Sequence, residues 1–97
     1  MNTWTFTGRV FYLKEMEGDY SCSIKMKGST NEGTFKKDIV EFGCLLPKEV
    51  WNAAKNKGLC VNSKVTLSGH FETWVKPRST YFINKTMFIA DNVIDVT

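Results

Sequence analysis

Pro47-Lys48-Glu49-Val50-Trp51-Asn52-Ala53-Ala54-Lys55-Asn56-Lys57-Gly58 is the stretch on which the fold turns. Val50, Trp51 and Ala54 share one face at helical spacing. Proline suits the first helical position, where its missing N–H would be unpaired in any case. Glycine suits the position just past the last turn, which takes a left-handed backbone. Lys55 and Lys57 lie toward the C-terminal, negative end of the helix dipole. The stretch predicts one helix of about three turns.

On both sides of this helix the apolar period is two, the period of a strand. Upstream, Thr3 to Lys14 places Trp4, Phe6, Gly8, Val10 and Tyr12 on one face. Thr3, Thr5, Thr7 and Arg9 take the other, which turns apolar at Phe11 and Leu13. Gly8 in mid-strand suggests a bend or a close backbone approach. Tyr20 to Lys27 alternates Tyr20, Cys22, Ile24 and Met26 with Ser21, Ser23, Lys25 and Lys27. Phe35 to Leu46 reads as a third strand. Downstream, Lys64 to Val75 is a fourth, with Val65, Leu67, Gly69 and Phe71 on one face. Tyr81 to Ile94 is a fifth, with a bulge or turn at Asp91-Asn92. The order is β-β-β-α-β-β. It predicts an all-β chain with one short helix, an OB-fold five-stranded Greek-key barrel, with residues 1–97 as a single domain. One face of that barrel, with the loops beside it, serves oligonucleotides or oligosaccharides.

Composition limits the chemistry. The 97 residues carry 13 basic and 10 acidic side chains, a net charge of +3, which permits a nucleic-acid partner without requiring one. Cys22, Cys44 and Cys60 are odd in number and lack CxxC spacing, so neither a disulfide framework nor a zinc knuckle is expected. They read as buried or half-buried thiols in a reducing cytoplasm. The N-terminus has no charged segment followed by an apolar run, and no stretch is long and apolar enough to span a membrane. A cytoplasmic protein without membrane contact is expected. His70 is the only histidine. Ser68-Gly69-His70 matches no nucleophile elbow, and no glycine-rich phosphate loop is present. Glu15, Glu17 and Asp19 share a polar turn with no apolar pocket to raise a pKa. The expectation is a binding protein with no catalytic residues, no metal and no cofactor.

Several short segments sharpen this. Thr5-Phe6-Thr7-Gly8-Arg9-Val10 resembles the opening strand of the bacterial and phage single-stranded DNA-binding protein family. Val40-Glu41-Phe42-Gly43 is similar to that family's third strand, which ends in Phe-Gly. Lys48-Glu49-Val50 stands where the family helix has Ala-Glu-Val. Lys57-Gly58 followed by Lys64-Val65-Thr66-Leu67-Ser68-Gly69-His70-Phe71-Glu72-Thr73 resembles its Lys-Gly-x-x-Val-x-Ile-x-Gly-x-Leu-x-Thr. The family usually continues into a flexible acidic tail. This sequence stops at Asp95-Val96-Thr97, so the tail's partner-recruiting role is not carried over. Related primosomal OB proteins also lack it.

The resemblance implies sequence-tolerant binding of single-stranded DNA in replication, recombination or mobile-element maintenance. Stacking positions would fall at Trp74, Phe42 and Phe35. Phosphates would be met by Lys25, Lys27, Lys36 and Lys37 along one basic edge, and by Lys76 and Arg78 in the basic turn after the fourth strand. Arg9 would contact phosphate or a second subunit. Trp4 and Trp51 read as core. RNA is not excluded as a ligand. A homodimer or homotetramer is expected, paired through the first strand or a sheet edge. The alternative is a primosome-like OB adaptor whose main role is docking to a helicase or polymerase.

Overall fold

The computed structural model, which describes residues 3–29, 39–75 and 84–97, has its strands and helix in the expected order. They are β1 (Thr3–Glu15), β2 (Cys22–Ser29), β3 (Ile39–Leu46), α1 (Lys48–Asn56), β4 (Lys64–Val75) and β5 (Asn84–Val96). Around the closed barrel the strands run β1-β2-β3-β5-β4 and return to β1. Neighbours are antiparallel except β3 and β5, which run parallel and pair at one position, Leu45 with Ile89. The expected all-β barrel with a helix between its third and fourth strands is what the chain forms.

β1 serves two neighbours. Thr3 to Arg9 pair with β4, and Arg9 to Glu15 pair with β2. Its curl depends on bare backbone at Gly8, where a Cβ would lie 2.7 Å from the Lys27 carbonyl oxygen and 2.8 Å from the Phe6 ring. The strand also carries a bulge. Val10 pairs with Met26 and Tyr12 with Lys25, leaving Phe11 without a partner. An extra residue reverses the alternation. Tyr12, expected inside, is therefore exposed, and Leu13, expected outside, packs against the core. β5 has two such irregularities against β4, which pass over Ile94 and Asp91. The second falls at the expected Asp91-Asn92 bulge.

The remaining alternation holds. Cys22, Ile24 and Met26 of β2 are fully buried, as are Val65 and Leu67 of β4. Burying such a side chain is worth roughly 1.5–3 kcal/mol, so these positions fix which face of each strand turns inward. β2 begins at Cys22 and not at Tyr20: the Ser21 carbonyl closes the preceding turn by accepting from Met16 N–H at 2.8 Å, and the Ser21 N–H donates to the Leu46 carbonyl at the end of β3 at 2.9 Å. Cys60, expected buried or half-buried, is exposed in the turn between α1 and β4.

α1 closes one end of the barrel with Trp51 and Ala54. Pro47 is its N-cap and not its first helical residue: it is extended at ψ 162°, and its carbonyl accepts the first helical bond from Trp51 N–H at 2.8 Å. Gly58, at φ +86°, ends the helix as expected. Gly58 N–H donates to the Lys55 carbonyl and Leu59 N–H to the Ala54 carbonyl, a Schellman pair that turns Leu59 back into the core.

The opposite end is filled by aromatic rings. Phe42 is the hub. Its ring lies 4.8 Å from Trp4, 4.8 Å from Phe6 (nearly parallel, at 16°) and 4.9 Å from Phe88. Each such pair adds about 0.5–1.5 kcal/mol beyond its buried area. Trp4 Nε1 donates to the His70 carbonyl at 2.8 Å and so locks its ring in the cluster.

Candidate nucleic-acid interface

With Cys22, Ile24 and Met26 turned inward, β2 must present Ser23, Lys25 and Lys27 outward. On β3 the next outward position opposite Lys25 is Gly43. The single pairing of β3 with β5 leaves a space beside it. A groove of about 230 Å³ lies there, lined by Ser23, Lys25, Gly43, Leu45, Met87 and Phe88 among others. Gly43 forms part of its wall with backbone alone. The groove is thus mostly apolar, with one lysine in its lining. Among the described residues Lys25 has no carboxylate partner in salt-bridge reach.

The rest of the outer β1–β2 surface is also cationic. Arg9 pairs directly with Lys27 on one side and Lys64 on the other. Lys27 Nζ lies 3.9 Å from Glu41 Oε1, an exposed pair of small energetic weight. Arg9 Nη1 donates to the Asn62 carbonyl at 2.6 Å, which ties the guanidinium to the turn before β4. Lys25 Nζ stands 5.1 Å from the centre of the Tyr12 ring, and Lys27 Nζ 4.9 Å from that of Phe11. Both are within cation–π range.

A contrasting cluster occupies the outer surface of β4 and β5. His70 Nδ1 lies 2.8 Å from Asp91 Oδ2, and His70 Nε2 lies 3.6 Å from Glu72 Oε1. The hydrogen bond to Asp91 raises the His70 pKa above its ordinary value, more than its slight burial lowers it. Tyr20 Oη donates to Glu72 Oε2 at 3.5 Å. Two carboxylates, Glu72 and Asp91, therefore gather about His70. Among the described residues no group of three or more His, Cys, Asp and Glu could hold a metal ion. No helix there is long and apolar enough to cross a membrane.

The sequence-predicted residues distribute unevenly over this geometry. Lys25 stands on the groove, with Lys27 and Arg9 on the adjoining outward row. Phe42 is half-buried and turned into the aromatic end, because β3 alternates Phe42, Cys44 and Leu46 inward. Trp74 takes the β4 position opposite Lys85 of β5. Phe35, Lys36, Lys37, Lys76 and Arg78 lie outside the described residues. Trp51 is in the core, and Trp4 packs against it, as expected. Sequence reasoning missed Gly43 and the β5 wall of Met87 and Phe88, since pairing between distant strands leaves no local pattern. It also missed the exposure of Tyr12, which it had turned inward. There a signal existed: four apolar residues in a row, Val10-Phe11-Tyr12-Leu13, in a strand of period two.

No family model and no curated protein matches the sequence. Similar folds occur among solved structures. A small single-stranded DNA-binding protein from Mycoplasma pneumoniae aligns over 98% of this chain and 93% of its own, with TM-score 0.65 and 11% identity. The single-stranded DNA-binding protein of Plasmodium falciparum, solved in complex with single-stranded DNA, aligns over 98% and 96%, with TM-score 0.64 and 15% identity. A small single-stranded DNA-binding protein from Streptomyces coelicolor gives 98% and 89%, TM-score 0.57 and 12% identity. At these identities the likeness is one of fold, and it spans nearly the whole of each chain: this protein is built on the OB barrel found in single-stranded DNA-binding proteins.

Proposed function

We propose that this protein binds single-stranded DNA with little regard to sequence, along the outer face of β2 and the groove between β3 and β5. The observation that carries the reading is the groove lined by Lys25: apolar walls for an unpaired base, and beside them a lysine with no carboxylate partner among the described residues to meet its phosphate. A duplex hides its base faces, whereas a single strand offers a flat π surface at every position, so such a site is sequence-tolerant. Lys27 and Arg9 extend the positive track. The same fold in proteins that bind single strands supports the reading. Trp74, at the far end of β4, is the stacking residue the family resemblance adds.

Anisotropy of labelled oligo-dT tests this directly, with duplex DNA as the competitor. Tight binding of oligo-dT that weakens as salt rises is the expected result. Lys25→Ala should weaken binding and lower the salt slope by about 0.7, the share of one phosphate contact on a single strand. Trp74→Ala should weaken oligo-dT binding by the loss of one stacked base. Equal affinity for duplex, or no binding at low salt, would overturn the proposal.

A further inference from the structure

The β1 bulge has made a surface that the groove does not use. From Arg9 to Lys14 the outward positions of β1 are Arg9, Phe11, Tyr12 and Lys14, and their β2 neighbours are Lys27, Lys25 and Ser23. Phe11 and Tyr12 are consecutive in the chain, yet both are exposed, at 39% and 40%. A regular strand would have turned one of them inward. Each ring has a lysine ammonium about it, Lys27 at 4.9 Å from Phe11 and Lys25 at 5.1 Å from Tyr12. The ladder here holds four cations and two rings, and its carboxylates stand only at the margins, Glu15 at the end of β1 and Glu41 across Lys27.

We infer that Phe11 and Tyr12 form a second stacking platform for single-stranded DNA, continuous with the groove through Lys25. This rests on the single-strand reading of the groove and extends it. Lys25 faces both elements: it lines the groove and stands over Tyr12. A strand leaving the groove past Lys25 meets Tyr12 and then Phe11, and a base laid on either ring has an ammonium within reach of its phosphate. The charge identifies the occupant. Two exposed rings alone would suit any apolar partner, but rings flanked by Arg9, Lys14, Lys25 and Lys27 suit a polyanion with flat, unpaired bases. The platform is distinct from Phe42, a stacking position that the family resemblance implies, whose ring is turned inward.

The test is affinity against oligonucleotide length. OB folds cover about 4–16 nucleotides, so oligo-dT of about 5 and about 15 nucleotides are compared. The Phe11→Leu/Tyr12→Leu double variant keeps apolar bulk and removes the π faces; its denaturation midpoint confirms that it folds. It should bind the short oligonucleotide as wild type does and the long one about tenfold or more weakly. Tyr12→Phe should retain most of the long-strand affinity. Unchanged binding of the long oligonucleotide by the double variant overturns the platform, as does an equal loss for both lengths. Loss of self-association in sedimentation with DNA affinity intact would also overturn it, assigning the rings to a second copy of the chain. Wild-type protein that binds neither oligonucleotide refutes the single-strand reading itself, a result distinct from all of these.

Discussion

Replacing Gly69 with alanine probes how closely β4 and β5 approach at the aromatic end of the barrel. A Cβ there would overlap the Ile89 carbonyl oxygen and come within 2.8 Å of both the Ile89 carbonyl carbon and Trp4 Cζ2. None of these can step aside cheaply. The Ile89 carbonyl is backbone, on the one β5 residue that also pairs with β3. The Trp4 ring is held by its bond to the His70 carbonyl and by its contact with Phe42 at 4.8 Å. Accommodation therefore requires β4 and β5 to separate beside the Asp91 bulge. Overpacking of a core costs about 1–3 kcal/mol when side chains can relax, and here the obstruction is backbone, so a loss of about 3 kcal/mol or more is expected. In urea that lowers the midpoint by roughly 1–3 M, and on heating it lowers Tm by roughly 12–24 °C. Gly43→Ala is the matched control. Its Cβ would meet the Ile24 carbonyl oxygen and Lys25 Cγ at 3.7 Å, ordinary contact distances. It should be neutral, or stabilising by up to about 0.5–1 kcal/mol through the loss of glycine's extra freedom in the unfolded chain. If Gly69→Ala unfolds within about 0.5 kcal/mol of wild type, the close approach is wrong.

Leu67→Ala, at a fully buried site among the barrel core, should cost about 2–5 kcal/mol in denaturant unfolding. Burial pushes the Cys22 thiol up to about 11 and Cys44 up to about 12, while Cys60 is exposed, so a thiol reagent near pH 8 should label one cysteine in the folded protein and three in denaturant. Cys60→Ser should abolish the fast native reaction. The hydrogen bond to Asp91 raises the His70 pKa above 6.5, so its contribution to stability is complete below about pH 6.5 and is lost as pH rises through the higher folded value. Denaturation midpoints of wild type should fall slightly across that interval, and those of His70→Gln should not show this component.

How much of the molecule could be read from its sequence depended on whether the deciding interaction was local. α1 was legible almost to its ends because Gly58 and the Val50, Trp51, Ala54 stripe act within a few residues. Pro47 was misplaced by one position, since a proline serves equally as N-cap or first helical residue. Alternation assigned Ile24, Met26, Val65 and Leu67 to the core. It failed at Tyr12 and Leu13, where one extra residue reversed the phase. The candidate site was less legible. Lys25 followed from β2 alone, but the groove beside it exists because β3 and β5 touch at a single register position, separated by a helix and another strand. Phe42 illustrates the converse: a third-strand aromatic suggested a ligand, while the inward phase of Cys44 and Leu46 carried its ring into the barrel.

The single parallel contact between Leu45 and Ile89 also governs how the chain can fold. The β1–β2–β3 meander and the β4–β5 hairpin join neighbours in sequence, so the pairings within each are local. Uniting them requires Thr3 to find His70 and Leu45 to find Ile89, across long stretches of chain and before much apolar surface is rewarded. Loop closure of this kind makes non-local β topologies slow. The docking of the hairpin onto the meander is then the step expected to limit folding, which refolding kinetics of a Leu45→Ala variant would check. Until it occurs, the facing edges of β3 and β5 stand unpaired and open to another chain, so the seam is where a slow refolding step and aggregation would meet.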